Sequence, residues 1–330
     1  MDQFTAHLDR GWDLAQRGDA LGAEASAKRA LELETDSPEA HNLLGFSCAL
    51  RGEHEEALGY YQQAIALDDT FLEAVLNAAE LCVHPLGELD TALRLCQDAL
   101  SLVESDEELT DALLLQFDAL LGLGQLPEAL KTCERIPDPP YANPLHYFLV
   151  GRALFECGRF DEAERQLVEA SRKDPENPEA WYYLGLLRDE QGDAKRATSA
   201  FLKSLELDSQ LPPLPWALSR EAFYETAETA LEKLTPRLRA FVDEQELYVA
   251  EMPGVETVVE GADPRTPILL DALEGGASAL RIFVYQRNIE RICGSVDRVV
   301  ETIVASLERE IASAVFGDVD APAAENAILN

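Results

Sequence analysis

Small residues recur at a fixed interval along the first two-thirds of this chain. Gly11, Gly18, Ala23 and Ala30 are each followed 34 residues later by Gly45, Gly52, Ala57 and Ala64, and the same interval separates Gly124, Gly158 and Gly192. A period of 34 with small residues at constant offsets is typical of stacked helix-turn-helix units. Because such stacks form a solenoid whose groove binds other polypeptides, the pattern predicts a protein that holds segments of protein partners.

The clearest unit reads AWYYLGLLRDEQGDAKRATSAFLKSLELD, and the unit HYFLVGRALFECGRFDEAERQLVEASRKDPENPEA is as regular. In the first of them, Gly185 and Ala197 are small enough to let two helices approach closely, while Trp181 and Phe201 fill the space between pairs. These units resemble tetratricopeptide repeats, and the resemblance covers roughly residues 4–209. It implies a mainly α fold, a TPR-type α-solenoid of about six helix-turn-helix repeats.

The charge balance of the chain is strongly acidic. Its 62 Asp and Glu residues outnumber its 27 Lys and Arg residues, which leaves a formal net charge of −35. A surface this negative repels nucleic-acid backbones and anionic lipid, so we expect neither nucleic-acid binding nor membrane insertion. It favours basic or neutral peptides as partners through electrostatic steering, although an acidic surface can also serve solubility alone.

Two further features bear on the compartment. No stretch resembles a secretory signal peptide, and no run approaches the length of about 18 apolar residues that a membrane-spanning helix needs. The 6 cysteines are widely spaced and include no C-x-x-C pair. This spacing favours small buried hydrophobic residues in a reducing compartment over disulfides or metal ligands. We therefore expect a cytoplasmic protein.

The resemblance to tetratricopeptide repeats also implies which side chains line the concave groove, since the first helix of each pair faces it. These positions are Trp12, Asn42, Phe46, Asn77, Glu80, Asp118, Phe148, Arg152, Phe155 and Tyr182. Amides such as Asn42 and Asn77 can bind an extended peptide backbone through paired donors and acceptors, and the aromatic rings offer pockets. The Lys and Arg cluster that would bind a terminal carboxylate is missing, which favours clients with basic or apolar residues. Several of these side chains could instead pack between helices.

Prolines at 212, 213 and 215 predict a stiff, non-helical joint at residues 210–218. This joint separates a repeat region at 1–209 from a small α+β domain at 219–317. The acidic end at 318–330 is predicted to be disordered.

The α+β domain has a recognisable order of elements. We predict helices after Ser219 and from Pro236, strands in ELYVAEMP and LRIFVYQ (the second in a segment ending IFVYQRNIERI), a loop at PILLDALEGG, and a long helix opened by Ser295. This order, with the segments SREAFYETAETALEKL, ALEGG and IFVYQRNIER, resembles the small zincin-like metallopeptidases over about residues 219–318. In bacteria such domains can follow tetratricopeptide repeats.

The active element of that family is H-E-x-x-H on the last helix, in which two histidines hold zinc and the glutamate is the base. The matching stretch here is REIASAVFG, so Arg309 and Ser313 stand at the histidine positions and only Glu310 remains. A guanidinium cannot be deprotonated to act as a ligand, and all 5 histidines of the chain lie in the repeat region. The resemblance therefore implies a pseudo-enzyme with no metal, no cofactor and no catalytic residue.

These features together predict a non-enzymatic interaction scaffold or adaptor, a peptide-binding solenoid joined to a catalytically dead peptidase-like domain. That domain could bind an extended peptide along a strand edge, or only cap the apolar end of the solenoid. Two alternatives stay open. One is an active metallopeptidase with a non-standard metal site, for example from Cys293, Glu290, Asp318 and Asp320; the other is a chaperone for secretion or filament subunits.

Overall fold

The computed structural model describes residues 2–242, 245–272 and 280–316. Within these ranges the fold is mainly helical, and its only sheet has three strands. No helix in the described part of the chain is both long and apolar enough to cross a bilayer. The acidic end at 318–330, which we predict to be disordered, lies outside the described residues.

The chain forms two compact units, Met1–Gln166 and Leu167–Asn330, and the division between them falls inside helix α10. In the first unit, consecutive helices pack against one another as pairs, α1 with α2, α3 with α4, α5 with α6 and α7 with α8. The helices are α1 Gln3–Gln16, α2 Ala20–Leu33, α3 Pro38–Ala49, α4 His54–Leu67, α5 Leu72–Val83, α6 Leu89–Leu102, α7 Asp106–Gly122, α8 Leu126–Cys133, α9 Pro144–Glu156 and α10 Phe160–Lys173.

The pair of α3 and α4 shows why the sequence folds in this way. The hydroxyl of Ser37 accepts a hydrogen bond of 3.1 Å from the third helical residue, and Pro38 occupies the first helical position. Gly52 turns the chain with a φ of 76°, a conformation that glycine adopts at little cost. A Cβ atom on Gly45 would lie 2.5 Å from the ring of Tyr61, so a glycine is needed for α3 to reach α4. Both glycine roles that the period indicates are confirmed.

The cysteines are free and mostly buried. Cys48, Cys82, Cys96, Cys133 and Cys293 are buried, and Cys157 is half-buried. Burial raises the pKa of Cys82 to about 11 and that of Cys96 to about 12. The interpretation of these residues as small hydrophobic side chains is therefore confirmed.

The second unit joins one further helical pair to a small mixed sheet with its own helices. Its elements are α11 Pro178–Glu190, α12 Ala194–Gln210, α13 Arg220–Lys233, α14 Pro236–Val242, β1 Glu246–Ala250, α15 Val255–Val259, β2 Ile268–Ala272, β3 Leu280–Tyr285, α16 Gln286–Cys293, a 3₁₀ turn at Val296–Arg298, and α17 Val299–Phe316. Phe201, which the sequence predicts to fill the space between pairs, packs instead within the pair of α11 and α12, where its ring lies beside Gly185.

The sheet has the order β1-β3-β2, with β1 parallel and β2 antiparallel to β3. One face of it packs against α13 and α17 through a core that includes Phe223, Ile268, Ile282, Ile303 and Leu307, each of them fully buried. The predicted helices at α13, α14 and α17 and the predicted strands at β1 and β3 are thus confirmed.

Two expectations for this region are wrong. PILLDALEGG is not a loop throughout, because Ile268–Ala272 pairs with β3 and buries Ile268 completely. The strand expected to end with IFVYQRNIERI ends at Tyr285, and Gln286–Cys293 is a helix whose residues Ile289 and Cys293 join the core. The residues 273–279 that follow β2 lie outside the described part of the chain.

Candidate functional site

One position of the repeat recurs on five consecutive first helices of unit 1. Trp12, Phe46, Glu80, Asp118 and Arg152 follow one another at intervals of 34, 34, 38 and 34 residues, on α1, α3, α5, α7 and α9. All five belong to the set that the sequence assigns to the groove. The ring of Trp12 lies 5.4 Å from that of Phe46, centroid to centroid, so neighbouring repeats are in contact along this line.

Phe46 and Glu80 line an open cleft with a volume of about 270 Å³. Its walls also include the buried ring of Tyr61, the half-buried amide of Asn77 and the imidazole of His84. Glu80 is exposed, and its carboxylate has no hydrogen-bond or ion-pair partner within the ranges that the structure describes. The cleft thus combines an aromatic face with an available negative charge.

The two asparagines assigned to the groove bind each other. The Nδ2 of Asn77 donates a hydrogen bond of 3.0 Å to the Oδ1 of Asn42. Asn42 is fully buried, and its own Nδ2 has no partner among the described residues. Asn77 is half-buried, so of these two amides it is the one that reaches the cleft.

Asp118 and Arg152 form a nearly buried ion pair. The Nη2 of Arg152 donates to both carboxylate oxygens of Asp118, at 2.8 and 2.7 Å, and the side chains are 6% and 13% exposed. The Nε2 of His84 lies 3.8 Å from the same carboxylate. Because this pair is electrically balanced, Glu80 is the member of the line that contributes net negative charge.

The remaining aromatic positions of unit 1 contribute mainly to packing. Phe148 is buried, and the half-buried ring of Phe155 lies 5.5 Å from the ring of Phe160. These two rings therefore pack between helices, which is the alternative that the sequence left open for some of the predicted groove residues.

Tyr182 lies in unit 2, where residues from beyond the repeats cover it. Its hydroxyl donates a hydrogen bond of 2.8 Å to Asp263, and the guanidinium of Arg265 lies 4.2 Å from the centre of its ring. Arg265 also donates to Glu179 at 2.6 Å. Burial is the largest cause that raises the pKa of Tyr182, followed by the charge of Asp263. The ring of Tyr182 is thus engaged within the molecule.

Asp208, which no sequence pattern indicates, is the centre of this contact. It is 4% exposed and accepts hydrogen bonds from the Nε of Arg265 at 3.1 Å and from the Nη2 of Arg291 at 2.7 Å. Arg287 donates to the backbone oxygens of Asp208 and Leu211, at 3.2 and 2.9 Å. Three arginines from the C-terminal region therefore hold the end of α12. In the local sequence, only the prolines that follow Gln210 indicate that the repeat region ends near this residue.

The residues considered for a non-standard metal site have structural roles. The carboxylate of Glu290 accepts from the backbone N–H of Leu218 at 3.0 Å and from Gln286 at 2.8 Å. Cys293 is fully buried, and its thiol donates to the backbone oxygen of Glu290. Asp318 and Asp320 lie outside the described residues.

The positions that match H-E-x-x-H lie on α17. Arg309 and Ser313 are exposed, one turn apart, and Glu310 lies half-buried between them. Burial raises the pKa of Glu310, while the charge of Arg309 lowers it. The five histidines of the chain all lie in unit 1, so no imidazole is available in this unit to hold a zinc ion.

Among the described residues, one group of three potential metal ligands converges elsewhere. The sulfur of Cys48 and the carboxylates of Glu53 and Glu56 lie within 4.8 Å of one another. Arg51 forms an ion pair with Glu53 and donates to the sulfur at 3.5 Å, and burial raises the pKa of Cys48. A protonated thiol beside a guanidinium is a poor metal ligand, so we assign no metal to this group.

Comparison with known families identifies the repeats. Residues 8–70 and 149–212 match the profile described as "Tetratricopeptide repeat". These two segments run from within α1 to the end of α4 and from within α9 to the end of α12, where the glycine spacing is most regular. The match supports tetratricopeptide repeats in this chain and the mainly helical, solenoid-like fold that the sequence predicts.

The curated relatives are much longer proteins. Superkiller complex protein 3 of Mus musculus is 23% identical over 261 residues, which are 77% of this chain and 16% of that protein. Tetratricopeptide repeat protein 37 of Xenopus laevis is 29% identical over 205 residues, which are 57% of this chain and 13% of that protein. The chain therefore spans less than a fifth of the length of either relative.

Solved structures with related folds include two bacterial proteins. The structure of pilF from Pseudomonas aeruginosa has a TM-score of 0.54 and 17% identity, and the match covers 63% of this chain and 93% of that one. PilW, described as a widely conserved type IV pilus biogenesis factor, has a TM-score of 0.53 and 14% identity, with 64% and 95% covered. At these identities the likeness shows the fold alone.

Proposed function

We propose that this chain with tetratricopeptide repeats is a non-enzymatic scaffold or adaptor that binds basic or apolar peptide segments of partner proteins. The observation that carries the proposal is the line from Trp12 to Arg152, one side chain on each of five successive first helices. Where its members are open to solvent, a line of this kind can contact an extended segment at regular intervals. Its members at the cleft are the half-buried Phe46 and the exposed Glu80, which contribute an aromatic ring and a carboxylate.

Charge supports the proposed class of partner. The chain carries a net charge of −35, and Glu80 adds a negative group at the cleft. Arg152, the cation of the line, already pairs with Asp118 at 2.7 Å. A partner with an acidic terminal carboxylate would therefore meet repulsion here, whereas a basic segment would be attracted.

For the C-terminal region we propose a non-catalytic domain of zincin-like descent at 219–317 that caps the last repeat. The resemblance of the sequence motifs supports the descent. The contacts of Arg265 and Arg291 with Asp208 support the capping role, because terminal repeats need a cover for their outer face. The replacement of both histidine positions, by Arg309 and Ser313, supports the absence of catalysis.

The binding proposal is tested by capture of partners on the whole 330-residue chain. Wild type, Phe46→Ala and Glu80→Lys are compared with Glu55→Lys, which makes the same charge change at an exposed site on α4 outside the cleft. We expect partners that Phe46→Ala and Glu80→Lys lose and that Glu55→Lys keeps. If all four proteins capture the same set, or none captures more than an inert protein, the groove of unit 1 is not the binding site.

The non-catalytic proposal is tested by metal analysis and by turnover of unfolded casein. We expect the purified 330-residue chain to hold no stoichiometric zinc and to cleave no casein, with or without Glu310→Gln. Bound zinc together with casein cleavage that disappears in Glu310→Gln would establish an active peptidase in its place.

A further inference from the structure

Unit 2 contains an arginine side chain bound by an aromatic face and two carboxylates. The guanidinium of Arg265 lies 4.2 Å from the centre of the Tyr182 ring, 2.6 Å from the carboxylate of Glu179 and 3.1 Å from that of Asp208. The side chain is only 10% exposed. Stacking on a ring and pairing with carboxylates are the interactions that distinguish arginine from lysine, because the guanidinium is planar and weakly hydrated.

The cleft of unit 1 presents similar groups. Phe46 and Tyr182 both lie on the first helix of their repeat, and the glycine of each helix serves as the reference position. Phe46 follows Gly45 by one residue, whereas Tyr182 precedes Gly185 by three residues. A difference of four residues in helical register is about one turn, so the two rings share the same helix face. In the cleft, Phe46 and the carboxylate-bearing Glu80 line the same space, so an aromatic ring and an acidic residue occur together there, as they do around Arg265.

The polar groups of the cleft are suited to receive a cation. Among the described residues Glu80 has no ion-pair partner. The Nδ2 of Asn77 donates its hydrogen bond to Asn42, so the amide oxygen of Asn77 is left to accept one from a ligand. The volume of about 270 Å³ is several times the roughly 30 Å³ that a water molecule occupies in the liquid. A guanidinium with part of its alkyl stem therefore fits in the cleft.

We propose that this cleft binds an arginine side chain of a partner segment. The ring of Phe46 stacks on the guanidinium, the carboxylate of Glu80 pairs with it, and the amide oxygen of Asn77 accepts one further N–H. The proposal rests on the proposed function and makes it more specific, since it names the residue type that the groove selects. A lysine ammonium is a compact, strongly hydrated charge that cannot stack on the ring, so it binds here less well.

The test uses a titration of the isotopically labelled 330-residue chain with short peptides, followed by NMR. The probes are acetyl-Ala-Leu-Arg-Leu-Ala-amide and its analogues with citrulline or lysine at the centre. Citrulline keeps the planar shape of the side chain and removes its charge. We expect the arginine peptide to shift the side-chain amide signal of Asn77 and to bind about two- to five-fold more tightly than the citrulline peptide, as an exposed ion pair allows.

Protein variants locate the interaction. Glu80→Gln is expected to bring the affinity for the arginine peptide down to that for the citrulline peptide, and Phe46→Leu to weaken it by about two- to five-fold. Glu55→Gln, the matched change outside the cleft, is expected to leave it unaltered. Equal binding of the arginine and citrulline peptides, or an equal effect of Glu55→Gln and Glu80→Gln, overturns the arginine assignment while the scaffold proposal stands. If no peptide of any kind binds unit 1, both proposals are overturned.

Discussion

Replacing Asp208 by asparagine removes the negative charge that two arginines of unit 2 share. The carboxylate is 4% exposed and accepts from Arg265 at 3.1 and 3.4 Å and from Arg291 at 3.2 and 2.7 Å. Burial opposes the charge of Arg265, but the carboxylates of Glu179 and Asp208 outweigh this effect and raise its pKa. Because an arginine guanidinium is not deprotonated in proteins, the positive charge that Asp208 balances remains in the variant.

The loss of free energy of unfolding in Asp208→Asn depends on which other partners, protein or water, remain for each arginine. Removing one partner of a buried ion pair destabilises a protein by about 3–5 kcal/mol. Arg265 keeps Glu179 at 2.6 Å, and Arg291 is 34% exposed and can be hydrated, so the lower end of that range applies. We expect Asp208→Asn to reduce the free energy of unfolding of unit 2 by about 3 kcal/mol. With a urea dependence of about 2 kcal/mol per molar, the unfolding midpoint falls by roughly 1.5 M.

The assay is equilibrium unfolding in urea followed by tryptophan fluorescence. Of the 3 tryptophans, Trp181 and Trp216 lie in unit 2, so a Trp12→Phe background makes the signal specific to that unit. The matched control is Glu206→Gln on the same helix, where an exposed carboxylate pairs with Lys203 at 3.1 Å. A surface pair of this kind contributes about 0–1 kcal/mol, which is a shift of at most roughly 0.5 M. The reasoning is refuted if Asp208→Asn shifts the midpoint no further than the control does.

Two other changes test the packing of unit 1. Gly45→Ala places a Cβ 2.5 Å from the Tyr61 ring and is expected to lower the free energy of unfolding, measured in urea, by about 1–3 kcal/mol. Gly59→Ala is the matched change in the interior of α4, where a Cβ meets nothing within 4 Å, and it is expected to raise the free energy of unfolding by up to about 1 kcal/mol. Burial raises the pKa of Cys82 to about 11 and of Cys96 to about 12, so both should resist iodoacetamide at pH 8 in the folded protein and react after unfolding, as read by mass spectrometry. The thiols of the unfolded chain ionise at a lower pH than the buried thiols do. The free energy of unfolding should therefore fall as the pH rises from about 9, the ordinary thiol pKa, through the folded pKa values of about 11 and 12.

The repeats were predictable because their information is local and periodic. The turn at Gly52 and the close approach at Gly45 each depend on one residue type at one offset, and the period repeats the evidence many times. The line of Trp12, Phe46 and Glu80 follows from the same offsets, since a fixed position on each first helix faces the same direction.

The contacts of unit 2 were not predictable in this way. Tyr182 was assigned to the groove, but its partner Asp263 is 81 residues away, and no period connects the two positions. Asp208 looks like an ordinary acidic residue near a helix end until Arg265 and Arg291 reach it. β2 was missed for a related reason, because the short apolar run at Ile268–Ala272 has no alternation and becomes a strand through its pairing with β3.

Net charge and the cleft act on different steps of binding. A net charge of −35 attracts basic segments over a distance of about 10 Å at ordinary salt, which raises the association rate without selecting between arginine and lysine. Stacking on Phe46 and pairing with Glu80 act only at contact, so they reduce the dissociation rate and depend on the shape of the cation. The Arg265 site illustrates the second kind of interaction, because the charge there is nearly removed from solvent. Added salt should therefore slow association for all basic segments alike, and the preference for arginine over lysine should persist.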